Sequence, residues 1–175
     1  MPRPSSADRQ WMELAIELSR LCPPSASAYS VGAVIVDGGG RELARGYSRE
    51  DDPHVHAEEC ALGKLGALGE PGALGEGGAP DRDLRRPDRD PRLQAATLYS
   101  TLEPCSQRRS RPRTCTELIL AAGIGRVVMA WREPSLFVAY CRGSELLAQA
   151  GVAVDELTDL ARQAQTVNAH LGLGQ

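Results

Sequence analysis

The stretch His54-Val55-His56-Ala57-Glu58-Glu59 decides how the rest of this 175-residue chain is read. It sets a carboxylate two residues after an imidazole, just past Asp51-Asp52-Pro53, where the chain breaks before a helix can begin. Thr101-Leu102-Glu103-Pro104-Cys105 and Cys115 add two thiols. One imidazole and two thiolates suit a catalytic zinc, which takes three protein ligands and keeps a fourth position open. His56, Cys105 and Cys115 are therefore the candidate metal ligands, and Zn2+ the candidate cofactor. Glu58 would stand beside the open position rather than on the metal, as the candidate catalytic residue. A structural zinc site normally closes with a fourth protein ligand, and that is the non-enzymatic alternative.

The flanking elements alternate. Ser5 and Ser6 can cap a helix beginning near Asp8, with Trp11, Leu14, Ala15, Leu18 and Leu21 on one face and Pro23-Pro24 as its stop. Residues 31–36 are a near-continuous apolar run, which predicts a buried strand. After the turn Asp37-Gly38-Gly39-Gly40, residues 42–48 return as the second strand of a hairpin. A helix then starts close to His56 and carries Cys60, Leu62 and Leu65 to about residue 68. Residues 69–94 scatter five glycines and four prolines among six acids and five arginines. With no apolar period, this segment is expected to be a disordered insertion.

Order resumes with a strand over 96–102, a helix over 114–122 stopped by Gly123, and a strand over 126–131. Ser144 caps a short helix to Ala150, residues 152–154 form a brief strand, and Leu157, Leu160, Ala161, Ala164 and Val167 stripe a last helix. The expected fold class is α/β: one domain over 1–175, a three-layer α/β/α sandwich around a central mixed sheet.

Bulk properties exclude several classes. A formal charge of −3, with one Phe and two Trp, argues against a nucleic-acid partner. No apolar run reads as a signal peptide or a membrane span, so a soluble cytoplasmic protein with no membrane partner is expected. The five cysteines lack the spacing of a disulfide scaffold.

The ligands suit hydrolysis. Helix N-termini favour thiolate over thiol. With two thiolates and one neutral imidazole the zinc site is formally neutral, and bound water there ionises near neutral pH. Glu58 would take a proton from that water, pass it to a ring nitrogen, and shuttle a second one to a leaving amine. Arg108, Arg109, Arg111 and Arg113 lie between the two thiols, so a loop pinned at both ends by one metal holds guanidinium groups near the pocket rim. Their geometry suits a phosphate; Arg108 and Arg111 are the candidate substrate-binding arginines. His54 reads as a pocket or surface residue, Cys60 as a buried small hydrophobe, and His170 as structural. Cys22 and Cys141 have no partners at ligand spacing. Trp131 and Glu133 follow a strand end where such sandwiches place ligands, without an assignable contact.

H-x-E followed by Pro-Cys resembles the signature of zinc deaminases, although nine residues rather than two separate Cys105 from Cys115. Pro23-Pro24-Ser25, the run Tyr29 to Val34, Gly46-Tyr47-Ser48-Arg49-Glu50, His56-Ala57-Glu58 and Thr101 to Ser106 resemble the cytidine-deaminase-like superfamily, and within it the pyrimidine deaminases of riboflavin biosynthesis. The long loop between the thiols is similar to the fungal-type enzyme. Bacterial bifunctional enzymes carry an Asn in Pro-Asn-Pro before the first strand; here Ser30 is the candidate replacement for substrate binding. The resemblance implies a stand-alone zinc-dependent deaminase of a phosphorylated diaminopyrimidine, releasing ammonia, and a homodimer or higher homo-oligomer. A nucleotide, nucleoside or free-base deaminase is the alternative enzyme.

Overall fold

The computed structural model describes residues 5–66, 91–134 and 141–172. Helix α1 (Ser6–Ser19) opens on a reciprocal cap: the Ser5 hydroxyl accepts the Asp8 N–H at 3.1 Å, and the Asp8 carboxylate accepts the Ser5 N–H at 2.7 Å. The expected stripe holds at Ala15 and Leu18 but takes in Met12 and Ile16 in place of its other members. Met12, Ala15, Ile16 and Leu18 are buried, Trp11 and Leu14 only partly so, and Leu21 is 60% exposed because the helix ends before it.

Strand β1 (Gly32–Val36) is buried throughout and pairs antiparallel with β2 (Glu42–Tyr47) on one side and β3 (Thr97–Ser100) on the other. Parallel strands β4 (Arg126–Met129) and β5 (Ala153–Glu156) complete a mixed sheet in the order β2-β1-β3-β4-β5. The expected mixed sheet is therefore found.

Two glycines bring helices against opposite faces. A Cβ on Gly32 would stand 2.0 Å from the Ala15 carbonyl oxygen of α1. A Cβ on Gly46 would stand 2.8 Å from Ala61 N and from Cys60 Cβ of α2 (Ala57–Lys64). Gly46 pairs with Ala33, the neighbour of Gly32, and successive strand residues face opposite ways. Hence α1 covers one face and α2 the other. Helix α4 (Cys115–Ala122) packs beside α2, α5 (Gly143–Gln149) beside α4, and α6 (Ala161–Val167) against α1. Gly32→Ala is expected to destabilise the fold by about 2 kcal/mol or more through forced overpacking, read as a lower urea midpoint at unchanged slope.

Helix α2 stops at Lys64, short of residue 68, because Gly66 takes φ +67 and turns the chain. Of the expected insertion, residues 69–90 lie outside the described residues. Residues 91–94, its expected tail, instead form the helical turn α3 (Pro91–Gln94), anchored by the buried Leu93. On the opposite side of the sheet from α2, the Arg126 guanidinium bridges Asp8 at 2.6 Å and Asp155 at 2.8 Å, and the Tyr99 hydroxyl donates to Asp8. This ties α1 to three strands.

Candidate active site

Two helix starts and one strand end converge on the site. His56 is the N-cap of α2, its backbone N–H donating to Glu59 at 3.4 Å. Cys115 is the first residue of α4, where Thr114 and Glu117 form a capping box. Cys105 follows β3 through Leu102-Glu103-Pro104, and its thiol accepts the Cys115 backbone N–H at 3.4 Å. The sequence thus delivers one ligand from each of three segments.

His56 Nδ1 lies 3.6 Å from Cys105 Sγ and 3.4 Å from Cys115 Sγ. Tetrahedral zinc with its usual bond lengths separates an imidazole nitrogen from a thiolate sulfur by about 3.5 Å. All three ligand atoms fall within 4.8 Å of one another, and both cysteines are buried. The trio therefore fits a zinc ion in both donor chemistry and spacing.

Glu58 is 3% exposed. Its Oε1 accepts from the Ser100 hydroxyl at 3.0 Å, and its Oε2 from the Cys115 thiol at 3.4 Å. Burial pushes the Glu58 carboxyl up, with His56 pulling the other way. The hydrogen bond with Cys115 pulls the Cys105 thiol down, whereas that same bond, then burial and the Glu58 charge, push Cys115 up. Burial works against a charged His56, but Cys105 overcomes it and the net direction is upward. A dication on the trio would favour thiolate at both cysteines and a neutral ring.

His56, Cys105 and Glu58 line a cavity of about 580 Å³, with Tyr29, Arg49, His54, Arg108 and Glu133, while Cys115 is fully buried. Arg108 has a 2% exposed side chain; it pairs with Glu59 at 2.8 Å and donates to the His54 carbonyl. Its Nη1 is buried without a hydrogen-bond partner among the described residues. Arg109 lines the cavity too.

Arg111 does not line this cavity. It is 36% exposed and pairs with Asp52 at 2.9 Å and Glu59 at 3.6 Å. Ser30 is not in the wall either: Asn168 clamps its backbone N–H and C=O, and its hydroxyl accepts from Arg49 at 3.1 Å. Arg49 takes the wall position instead, in the left-handed region at φ +64. His54 lines the cavity, and Cys60 stays off the metal trio, its buried thiol donating to Glu50 at 3.1 Å.

Sequence reasoning missed Ser100, Glu103 and Arg49. Glu103 Oε1 accepts the Ser144 N–H and hydroxyl, and its Oε2 the Glu133 N–H, fastening the loop after β3 to α5 and to the end of β4. Its position inside Thr-Leu-Glu-Pro-Cys was visible; its partners depend on strand order. No helix among the described residues is long and apolar enough to cross a membrane.

The family model described as the cytidine and deoxycytidylate deaminase zinc-binding region matches residues 5–131. The chain is 38% identical over 147 residues to the diaminohydroxyphosphoribosylamino-pyrimidine deaminase of Schizosaccharomyces pombe, covering 84% of this chain and 31% of that protein. It is 32% identical over 153 residues to the riboflavin biosynthesis protein RibD of Aquifex aeolicus, covering 85% and 34%. The chain thus spans about a third of the length of these curated relatives. Among solved structures, the Aspergillus oryzae Rib2 deaminase in complex with DARIPP superposes with a TM-score of 0.70 at 24% identity, covering 93% of this chain and 90% of that one, which is a likeness of fold.

Proposed function

For a chain that belongs to the cytidine and deoxycytidylate deaminase zinc-binding family, we propose zinc-dependent hydrolytic deamination of a phosphorylated diaminopyrimidine in riboflavin biosynthesis. The observation that carries the reaction is the buried Glu58 held against a His-Cys-Cys trio at the end of a cavity. His56, Cys105 and Cys115 would hold the zinc, which when bound polarises water and brings its pKa to about 7.

The proton work falls to Glu58. With Oε1 fixed by Ser100, the carboxylate takes a proton from the attacking water and delivers it to the adjacent ring nitrogen. The water oxygen bonds to the amine-bearing carbon. Glu58 then carries the second water proton to the amine, the C–N bond breaks, and ammonia leaves. Burial, which raises the carboxyl, makes Glu58 a better proton carrier than an exposed glutamate.

The phosphate reading rests on Arg108. Its stem is buried, Glu59 holds one arm, and Nη1 is left for an anionic oxygen at the cavity wall. The likeness to the Schizosaccharomyces pombe deaminase supports the diaminopyrimidine. Arg111, through Asp52 and Glu59, would brace Arg108; Ser30 would brace Arg49. The proposal includes a cytoplasmic homo-oligomer and a single deaminase domain; five free cysteines are consistent with a reducing compartment.

Arg108→Ala tests the phosphate reading. Loss of one charge-assisted contact should raise KM for the phosphorylated diaminopyrimidine about 10- to 100-fold. The dephosphorylated compound should change little. Equal loss on both compounds would contradict phosphate binding by Arg108.

A further inference from the structure

Part of the cavity wall comes from an irregular segment, residues 23–30, between α1 and β1: Ser25, Ser27, Ala28 and Tyr29 all line the cavity. The segment has no helix or strand ladder of its own, so side chains from elsewhere must hold its backbone. Arg49 makes one hold. Its Nε and Nη2 donate to the Pro23 carbonyl at 3.0 and 2.8 Å, and its Nη1 to the Tyr29 carbonyl at 2.9 Å. The other hold arrives from far along the chain. Asn168, where α6 ends, is 1% exposed. Its Oδ1 accepts the Ser30 N–H at 2.7 Å, and its Nδ2 donates to the Ser30 carbonyl at 3.1 Å. The amide thus pairs with Ser30 as a neighbouring strand would. Two residues on, His170 Nε2 donates to the Ser25 carbonyl at 2.9 Å. Neither Asn168 nor His170 lines the cavity, and both lie beyond residues 5–131 that the family model matches.

We propose that Asn168 is a positioning residue for substrate binding: through Ser30 it holds segment 23–30 in the cavity wall and so sets affinity from outside the cavity. His170 assists through Ser25. The inference rests on the deaminase reading above and deepens it.

The energetics single out Asn168. Ser30 is buried, and removing the amide leaves both its N–H and its carbonyl without a partner among the described residues. A buried pair left that way is costly, and the backbone shifts to regain partners. Tyr29, whose ring stands edge-on to Trp131 at 5.9 Å, is the adjacent residue and moves with it. The metal ligands and Glu58 come from α2, α4 and the loop after β3, and Asn168 hydrogen-bonds none of these. Its loss therefore loosens the wall and leaves the reacting groups in place.

The test pairs steady-state kinetics on the phosphorylated diaminopyrimidine with amide hydrogen exchange, on zinc-loaded wild type, Asn168→Ala, His170→Ala and Asp8→Asn. Asp8→Asn is the stability control: it weakens the ion pair with Arg126, a contact that segment 23–30 does not make. Asn168→Ala should raise KM about 5- to 50-fold with kcat within about twofold of wild type. Exchange at 23–30 should quicken about tenfold or more, while residues 57–64 and 115–122 keep wild-type rates. His170→Ala breaks an exposed bond and should raise KM about two- to fivefold. Asp8→Asn should melt lower with KM unchanged. If Asn168→Ala keeps the wild-type KM, or quickens exchange equally in all three segments, Asn168 only stabilises the fold and the inference is overturned while the deaminase reading stands. If Asn168→Ala does not fold, His170→Ala decides: wild-type KM and wild-type exchange at 23–30 overturn the inference. If the wild type releases no ammonia from this substrate, the deaminase reading fails and takes the inference with it.

Discussion

Glu58→Gln is expected to lower kcat by about a thousandfold or more while zinc content stays at the wild-type level. Glutamine fills the same volume, and its carbonyl oxygen can still accept from the Ser100 hydroxyl that now bonds Oε1 at 3.0 Å. What it cannot do is take up and return a proton, and every transfer in the reaction passes through this one group. The buried carboxyl is also costly to ionise, as its upward shift records, so removing its charge should not lower the melting temperature. Ammonia release, zinc content and thermal melting on the same preparations separate the possibilities. Loss of zinc with the substitution would make Glu58 a ligand. Unchanged kcat would remove it from the chemistry.

Cys115→Ala is expected to abolish both zinc binding and turnover. The residue starts α4, its thiol lies 3.4 Å from His56 Nδ1, and the side chain is fully buried, so an alanine there leaves the trio one donor short. Zinc bound only to the folded state stabilises it by mass action, about 4 kcal/mol at a thousandfold excess over Kd. For a chain of this size that is a rise of about 10 °C in melting temperature. Wild type should show the rise on adding zinc and lose it in chelator. Cys115→Ala should melt at the same temperature with or without zinc. A wild type indifferent to zinc, or a variant that still responds, would show that the trio is not where the metal binds.

How much of this was readable from the sequence depends on the distance over which each feature is encoded. His56, Glu58 and Cys115 are local statements: a helix start places them, and Pro53, Thr114 and Glu117 mark those starts. The hairpin of β1 and β2 is equally local, since the turn at 37–40 and the apolar run before it sit side by side. The stripe of α1 was misjudged because Trp11 and Leu21 are as apolar as Met12 and Ile16. Only the close approach at Gly32 decides which face turns inward.

The arginine loop shows the limit most clearly. Four arginines between two thiols are equivalent by spacing. Glu59, on the helix that His56 begins, draws Arg108 inward, while Asp52 holds Arg111 half exposed. Ser30 was placed by its position before β1, but Asn168 and Arg49 engage it, and both arrive from far along the chain or across a turn. Glu103 and Glu133 meet only because β3 and β4 are neighbours in the sheet, a pairing that no local pattern specifies.

The central claim is that this trio and Glu58 remove an amine from a phosphorylated diaminopyrimidine. Ammonia release by the zinc-loaded protein tests it most directly, on the ribosylamino- and ribitylamino-pyrimidinone phosphates, their dephosphorylated forms, cytidine, dCMP, cytosine and guanine. The account predicts turnover of a phosphorylated diaminopyrimidine, and little of the others. Turnover confined to a nucleoside or free base, or no ammonia from any of them, would contradict it.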